Sequence, residues 1–112
     1  MKKDLLIRSW IDIDGHKFFG PGRAELLKQI DATGSIAEAA RSMGMSYKKA
    51  WAMIADLNAK ASKPYVVVKK GGGKGGETVL TPAGRKMLEG FEKLESHVQG
   101  IIEKHKGLLK VV

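Results

Sequence analysis

Residues 34–58 constrain the fold more than any other stretch: Gly-Ser-Ile-Ala-Glu-Ala-Ala-Arg-Ser-Met-Gly-Met-Ser-Tyr-Lys-Lys-Ala-Trp-Ala-Met-Ile-Ala-Asp-Leu-Asn. They read as two helices joined by a tight turn. Ser35 is a good N-cap, and Glu38 three residues later completes a capping box. Ile36, Ala39, Ala40 and Met43 give the first helix an apolar face at helical spacing. Gly44 stands where a chain leaving a helix needs a positive φ. Ser46 caps the second helix, on which Ala50, Ile54 and Leu57 recur every three to four residues. That helix is expected to end at Lys60 or Ala61. Helix, glycine turn, helix is the order of a helix-turn-helix. The second helix opens with Ser46, Tyr47, Lys48 and Lys49, where a recognition helix meets base edges and phosphates. Many helical hairpins never touch nucleic acid, so the motif alone leaves the partner open.

Charge narrows the choice. The 112 residues carry a net charge of +8. Residues 46–76 hold Lys48, Lys49, Lys60, Lys63, Lys69, Lys70 and Lys74 against Asp56 alone. Most of the excess therefore lies in one segment that begins at the second helix. A solvated lysine face explains most charge runs, but concentration beside a helix-turn-helix favours an anionic partner, with nucleic acid the commonest. The hydrophobic fraction of 43% supports a real core. The absence of cysteine excludes disulfides and thiolate metal sites. No apolar run approaches the ~20 residues that cross a bilayer. Arg8, Asp12 and Asp14 interrupt the short apolar run behind Lys2 and Lys3, making it a poor signal peptide. The expectation is a single cytoplasmic domain over residues 1–112, with no membrane contact.

Before the motif, Leu5 to Ile13 alternates in part and is rich in β-branched residues, which predicts a strand. Asp14-Gly15 is a turn signal, and Lys17-Phe18-Phe19 a short return strand. Trp10 and the two phenylalanines read as core or dimer-interface residues. Pro21 suits the first turn of a helix covering Arg23 to Ala32, which Gly34 ends. Within the second motif helix, Trp51 is expected to pack against the preceding helix rather than to stack on a base.

After the break at Ser62-Lys63-Pro64, residues 65–69 and 77–81 read as strands around the glycine-rich run 71–76. That is a β-hairpin with a long tip, and behind a helix-turn-helix it is a wing. A phosphate-binding loop does not fit: the glycines lead into a strand, and no Gly-Lys-Ser/Thr follows. Lys69, Lys70 and Lys74 around the tip are expected to touch phosphate or enter the minor groove. Thr81 and Pro82 open a last helix. Met87, Phe91, Leu94, Val98, Ile101, His105 and Leu108 then recur at alternating steps of four and three, a heptad seam that packs lengthwise on another helix. Gly90 and Gly100 each weaken that helix, by about 1 kcal/mol against alanine. The seam fits either the domain's own core or a second chain; the helix is long for so small a domain, which favours a dimer interface.

Gly-Arg-Ala-Glu-Leu-Leu (22–27), Gly-Ser-Ile-Ala-Glu-Ala-Ala-Arg (34–41), Met-Gly-Met-Ser-Tyr-Lys-Lys-Ala-Trp (43–51), the glycine-rich tip and Leu-Thr-Pro-Ala-Gly-Arg (80–85) together resemble the N-terminal DNA-binding domain of ModE, the molybdate-responsive transcriptional regulator family. The Thr-Pro-Ala-Gly-Arg stretch also resembles LysR-type regulators. The resemblance implies a winged helix-turn-helix, dimerisation through the N-terminal strand region and the last helix, and a palindromic DNA site. It sets Ser46, Tyr47, Lys48 and Lys49 toward the major groove and the wing toward backbone or minor groove. Family members carry C-terminal molybdate-binding modules, for which 112 residues leave no room, so no cofactor is expected.

The expected fold is mainly α (α+β): N-terminal strands over 1–19, a helix-turn-helix with wing over 20–81, and a long C-terminal helix over 82–112. The expected DNA-facing set is Ser35, Ser46, Tyr47, Lys48, Lys49, Lys69, Lys70 and Lys74. The expected dimer contacts are Met87, Phe91, Leu94, Val98, Ile101 and His105. The expected function is sequence-specific binding of double-stranded DNA by a homodimeric transcriptional regulator. A protein-interaction module or a nonspecific DNA binder are the alternatives. Without paired carboxylates, an activated nucleophile or a metal cluster in the sequence, an enzyme is not expected.

Overall fold

The structure is a computed structural model and describes residues 1–70 and 76–112. Lys74 lies outside the described residues, as does the side chain of Lys70. The order of elements is β1 (Ile11–Ile13), β2 (His16–Phe19), α1 (Pro21–Thr33), α2 (Ile36–Ser42), α3 (Tyr47–Lys60), β3 (Val66–Lys70), β4 (Gly76–Leu80) and α4 (Pro82–His105). A 3-10 turn, Lys106–Val111, follows α4. Helices α1 to α3 form the trihelical core, β3 and β4 pair antiparallel as the wing, and α4 packs back on α1. This is a winged helix-turn-helix.

The local signals account for most boundaries. Asp14 and Gly15 both have positive φ, 51° and 79°, which is the twist a two-residue type I′ hairpin turn requires. Pro21 opens α1, and Gly34, at φ 71°, closes it with its N–H donating to Ile30. Ser35 caps α2 by accepting from the Glu38 amide at 3.1 Å. The capping box is only half made: the Ser35 amide donates to the Thr33 hydroxyl, and the Glu38 carboxylate pairs with Arg41 instead. Beyond α2, Met45 N–H donates to Ala40 and Gly44 N–H to Arg41. That is a Schellman turn, with Gly44 at φ 66° supplying the left-handed residue.

The N-terminal strand is much shorter than its alternating pattern predicts. Residues 5–10 form no strand; residues 3–9 run beside α4 and share shallow clefts with Val98, Gln99, Ile102 and Leu109. The reason lies in the partner. β2 reaches only to Phe19 before Gly20-Pro21 starts a helix, so nothing remains to pair residues 5–10. A bulge in β2 at Phe18 shifts the register between Ile11 and Asp12. It lets two adjacent residues, Phe18 and Phe19, both enter the core, which a regular strand would forbid.

Those phenylalanines seed an aromatic cluster. Phe18 and Phe19 meet Tyr65 edge-on at 6.1 and 6.3 Å, and Phe19 meets Phe91 of α4 at 5.1 Å. The cluster joins the N-terminal hairpin, the α3–β3 loop and the long helix around Leu26, Leu27, Ile30, Ile54 and Leu57, all of them buried.

The Leu80-Thr-Pro-Ala-Gly-Arg85 stretch is an anchor for α4. Leu80 is buried in the core. The Thr81 hydroxyl donates to the Pro64 carbonyl at 2.6 Å and accepts from the Gly84 amide at 3.0 Å. Gly84 lies against the Tyr65 backbone, where an added Cβ would stand 2.2 Å from the carbonyl oxygen. Arg85 grips Asp31 of α1 with two nitrogens, at 2.7 and 3.2 Å.

Candidate nucleic-acid interface

Helix α3 buries Ala50, Ile54 and Leu57 and leaves its other side to solvent. Its first turn is fixed by Ser46, whose hydroxyl accepts from the Lys49 amide at 3.0 Å. Tyr47, Lys48 and Lys49 are all exposed. The first turn holds no acidic residue. Two lysines at the positive end of a helix dipole have the wrong sign for stability, at roughly 0.3–1 kcal/mol each. The same placement concentrates cationic groups and free backbone amides at one point, which suits a phosphate.

Trp51 is not among the buried core residues. It is 40% exposed and meets Tyr47 edge-on, with ring centroids 6.2 Å apart. Trp51 lies about a quarter turn from the Ala50–Ile54–Leu57 line, off the buried face, which leaves part of its ring in solvent.

Two residues that sequence reasoning passes over hold α3 in place. Arg23 donates to the Phe18 carbonyl at 2.7 Å and to Asp56 at 2.6 Å, tying β2, α1 and α3 together. Asn58 accepts from the Tyr65 and Val66 amides and donates to the Val66 carbonyl at 2.9 Å, fixing the wing's first strand to the helix. The signal for Asn58 is faint: a polar residue near a helix end, followed by a Pro-closed loop. Hydrogen bonds from Lys60 and then Arg23 hold the Asp56 carboxyl below the usual carboxylate range.

In the wing, Lys69 is exposed and pairs in register with Glu77 across the strands. Ser35 is occupied as the α2 cap and half-buried. The seam on α4 divides. Phe91 is buried in the chain's own core and Met87 packs on it, so these two are core residues here and not a free seam. Val98 is half-buried on the side of residues 7–9. Leu94 and Ile101 are 42% and 49% exposed, and His105 is exposed with its ring Nδ1 3.0 Å from the Ile101 carbonyl. Ile102, absent from the expected seam, is buried.

An exposed, cation-rich recognition helix beside a β-hairpin wing defines a winged helix-turn-helix DNA-binding domain. Residues 22–85 match the family model described as bacterial regulatory helix-turn-helix protein, lysR family, and the chain belongs to that family. Its relatives include the molybdenum-pterin-binding protein MopB of Rhodobacter capsulatus, 41% identical over 74% of this chain and 31% of its own length. The molybdenum transport protein ModE of Azotobacter vinelandii is 36% identical over 89% of this chain and 37% of its own. The DNA-binding transcriptional dual regulator ModE of Escherichia coli K12 is 40% identical over 69% and 29%. The likeness is thus to ModE-type regulators, and the chain spans about a third of the length of the curated relatives it matches. Among the described residues no helix is long and apolar enough to cross a membrane.

Proposed function

We propose that this chain is a sequence-specific transcriptional regulator that binds double-stranded DNA as a homodimer in the cytoplasm. The observation that carries the reading is the first turn of α3: Tyr47, Lys48 and Lys49 exposed together, with no acid to balance them. α3 enters the major groove with Ser46, Tyr47, Lys48 and Lys49 leading, and Ser35 sits at the backbone beside α2. The wing brings Lys69, with Lys70 and Lys74 assigned by sequence alone, to phosphate or the minor groove. Dimerisation falls to the exposed half of the α4 seam, Leu94, Ile101 and His105 with Val98 at its edge, and not to the buried Phe91. Two of these relatives' names attach molybdenum to them; side-chain contacts to bases and phosphates need no cofactor, and none is part of this proposal.

Selection of bound sequences from a random duplex pool at two salt concentrations tests the reading. An enriched inverted repeat, bound less tightly as salt rises, is the expected result. Absence of binding at low salt overturns it, and binding without enrichment reduces the protein to a nonspecific DNA binder.

A further inference from the structure

The outward face of α3 carries few groups that read bases by hydrogen bonding. Asp56 is engaged by Arg23 and Lys60, and Asn58 by the wing backbone. The Ser46 hydroxyl oxygen accepts the capping bond from the Lys49 amide, which leaves its O–H to donate. With it stand Tyr47, Lys48 and Lys49, so the groups that remain are all at the start of the helix. A lysine ammonium is a point charge, without the planar fork that arginine, asparagine or glutamine offers a single base.

Beyond that turn the exposed residues of α3 are Trp51 and three alanines, with Lys60, paired to Asp56, at the far end. Lys48, Ala52, Ala55 and Ala59 recur at steps of four, three and four along one exposed line, and Trp51 stands beside Ala52 and Ala55. The alanines are small, so the helix backbone can approach the floor of a groove closely. Trp51 is the one large group on this stretch. Tyr47 braces its ring edge-on, which lowers the entropy lost when the ring is held against a ligand. The exposed part of this ring gains the free energy of apolar burial only when it meets a ligand surface.

The one apolar group on the major-groove edges of the base pairs is the thymine C5 methyl. We infer that Trp51, with Ala52 and Ala55 beside it, is a specificity-determining apolar contact that packs on thymine methyls in the major groove. The inference rests on the DNA-binding reading above and adds to it the chemical feature of the half-site that α3 recognises. Lysines at the first turn anchor the helix to phosphate, and Trp51 one turn further on selects the base.

The test uses the duplex recovered by selection with the full chain, synthesised once with thymine and once with uracil, which differs only by that methyl. Affinities are measured by fluorescence anisotropy for the wild type and for Trp51→Ala, whose fold is checked by circular dichroism. The wild type is expected to bind the uracil duplex roughly fourfold more weakly for each contacted methyl removed, and Trp51→Ala to bind the two duplexes equally. Equal wild-type affinities for both duplexes overturn the inference while leaving DNA binding intact, and so does a Trp51→Ala protein that keeps the full thymine preference. Failure to bind any duplex at low salt overturns the DNA-binding reading and this inference together. Where the alanine variant binds too weakly to titrate, Trp51→Gln takes its place in the same comparison of duplexes, with the same expected and overturning results.

Discussion

A methyl group at position 84 would stand 2.2 Å from the Tyr65 carbonyl oxygen. Backbone, not a flexible side chain, blocks it, so Gly84→Ala must push the start of α4 away from the α3–β3 loop. It is expected to lose about 1–3 kcal/mol, read as a lower urea midpoint. Gly90 has no atom within 4 Å of an added Cβ; Gly90→Ala is expected to gain up to about 1 kcal/mol in the same assay. If the two glycines respond alike, the close approach at Tyr65 is wrong. Single residues also divide by what the sequence discloses. The caps Ser35, Ser46 and Thr81 and the turn glycines Gly34 and Gly44 are legible, because capping and positive φ are local demands met by few residue types. Trp51 is not, because the general tendency of tryptophan to pack conceals its angular position on the helix.

Between elements, the Arg23–Asp56–Lys60 network sets how α3 is presented. Asp56 has its pKa lowered, first by Lys60 and then by Arg23. A carboxyl with a depressed folded value stabilises the fold fully above its unfolded pKa, near 4, and loses that contribution as pH falls through the lower folded value. The stability gap between wild type and Asp56→Asn is therefore expected to be wide at pH 6 and to shrink progressively toward pH 3. A gap of constant width in urea titrations at both pH values would exclude this role. Lys48→Ala acts at the same helix in another way. It takes a cation away from the phosphate backbone, so affinity should fall alike on every DNA sequence, with the salt slope reduced by about 0.9 for each phosphate left unneutralised. An unchanged slope in a salt titration would take Lys48 off the backbone. The wing and the trihelical core are foreseeable because turns and amphipathic periods punctuate them. The true extent of the strand within Leu5–Ile13 is not, since alternation says nothing about whether a partner strand exists.

At the scale of the molecule, the chain is extended, 61 by 30 by 21 Å, because α4 outruns the core it packs on. Its first half is fastened by Gly84, Leu88 and Phe91; its second half buries Ile102 toward the N-terminal segment. What remains outward on α4 is Leu94 and Ile101, seven residues apart and 42% and 49% exposed, with Leu108, 55% exposed, in the 3-10 turn beyond it. A step of seven is the spacing that faces a second helix across a coiled-coil seam, which is why the proposed dimer contact is placed on this line. The heptad pattern of the sequence therefore runs through two surfaces, the buried side at Phe91 and the exposed line of Leu94 and Ile101, and 3.5-residue periodicity does not tell them apart. Pairing of α4 with its copy would hold two recognition helices in fixed relation, which is what an inverted repeat demands. Leu94→Glu combined with Ile101→Glu places two like charges from each chain at the seam. The double variant is expected to sediment as a monomer with an unchanged circular dichroism spectrum. It should bind an isolated half-site as well as the wild type does, and lose most of the affinity for the full repeat. Retention of the dimer by this variant, or a wild type that sediments as a monomer at micromolar concentration, would remove α4 from the dimer contact and transfer the search to the exposed Leu6, Ile7 and Ile11 of the N-terminal segment.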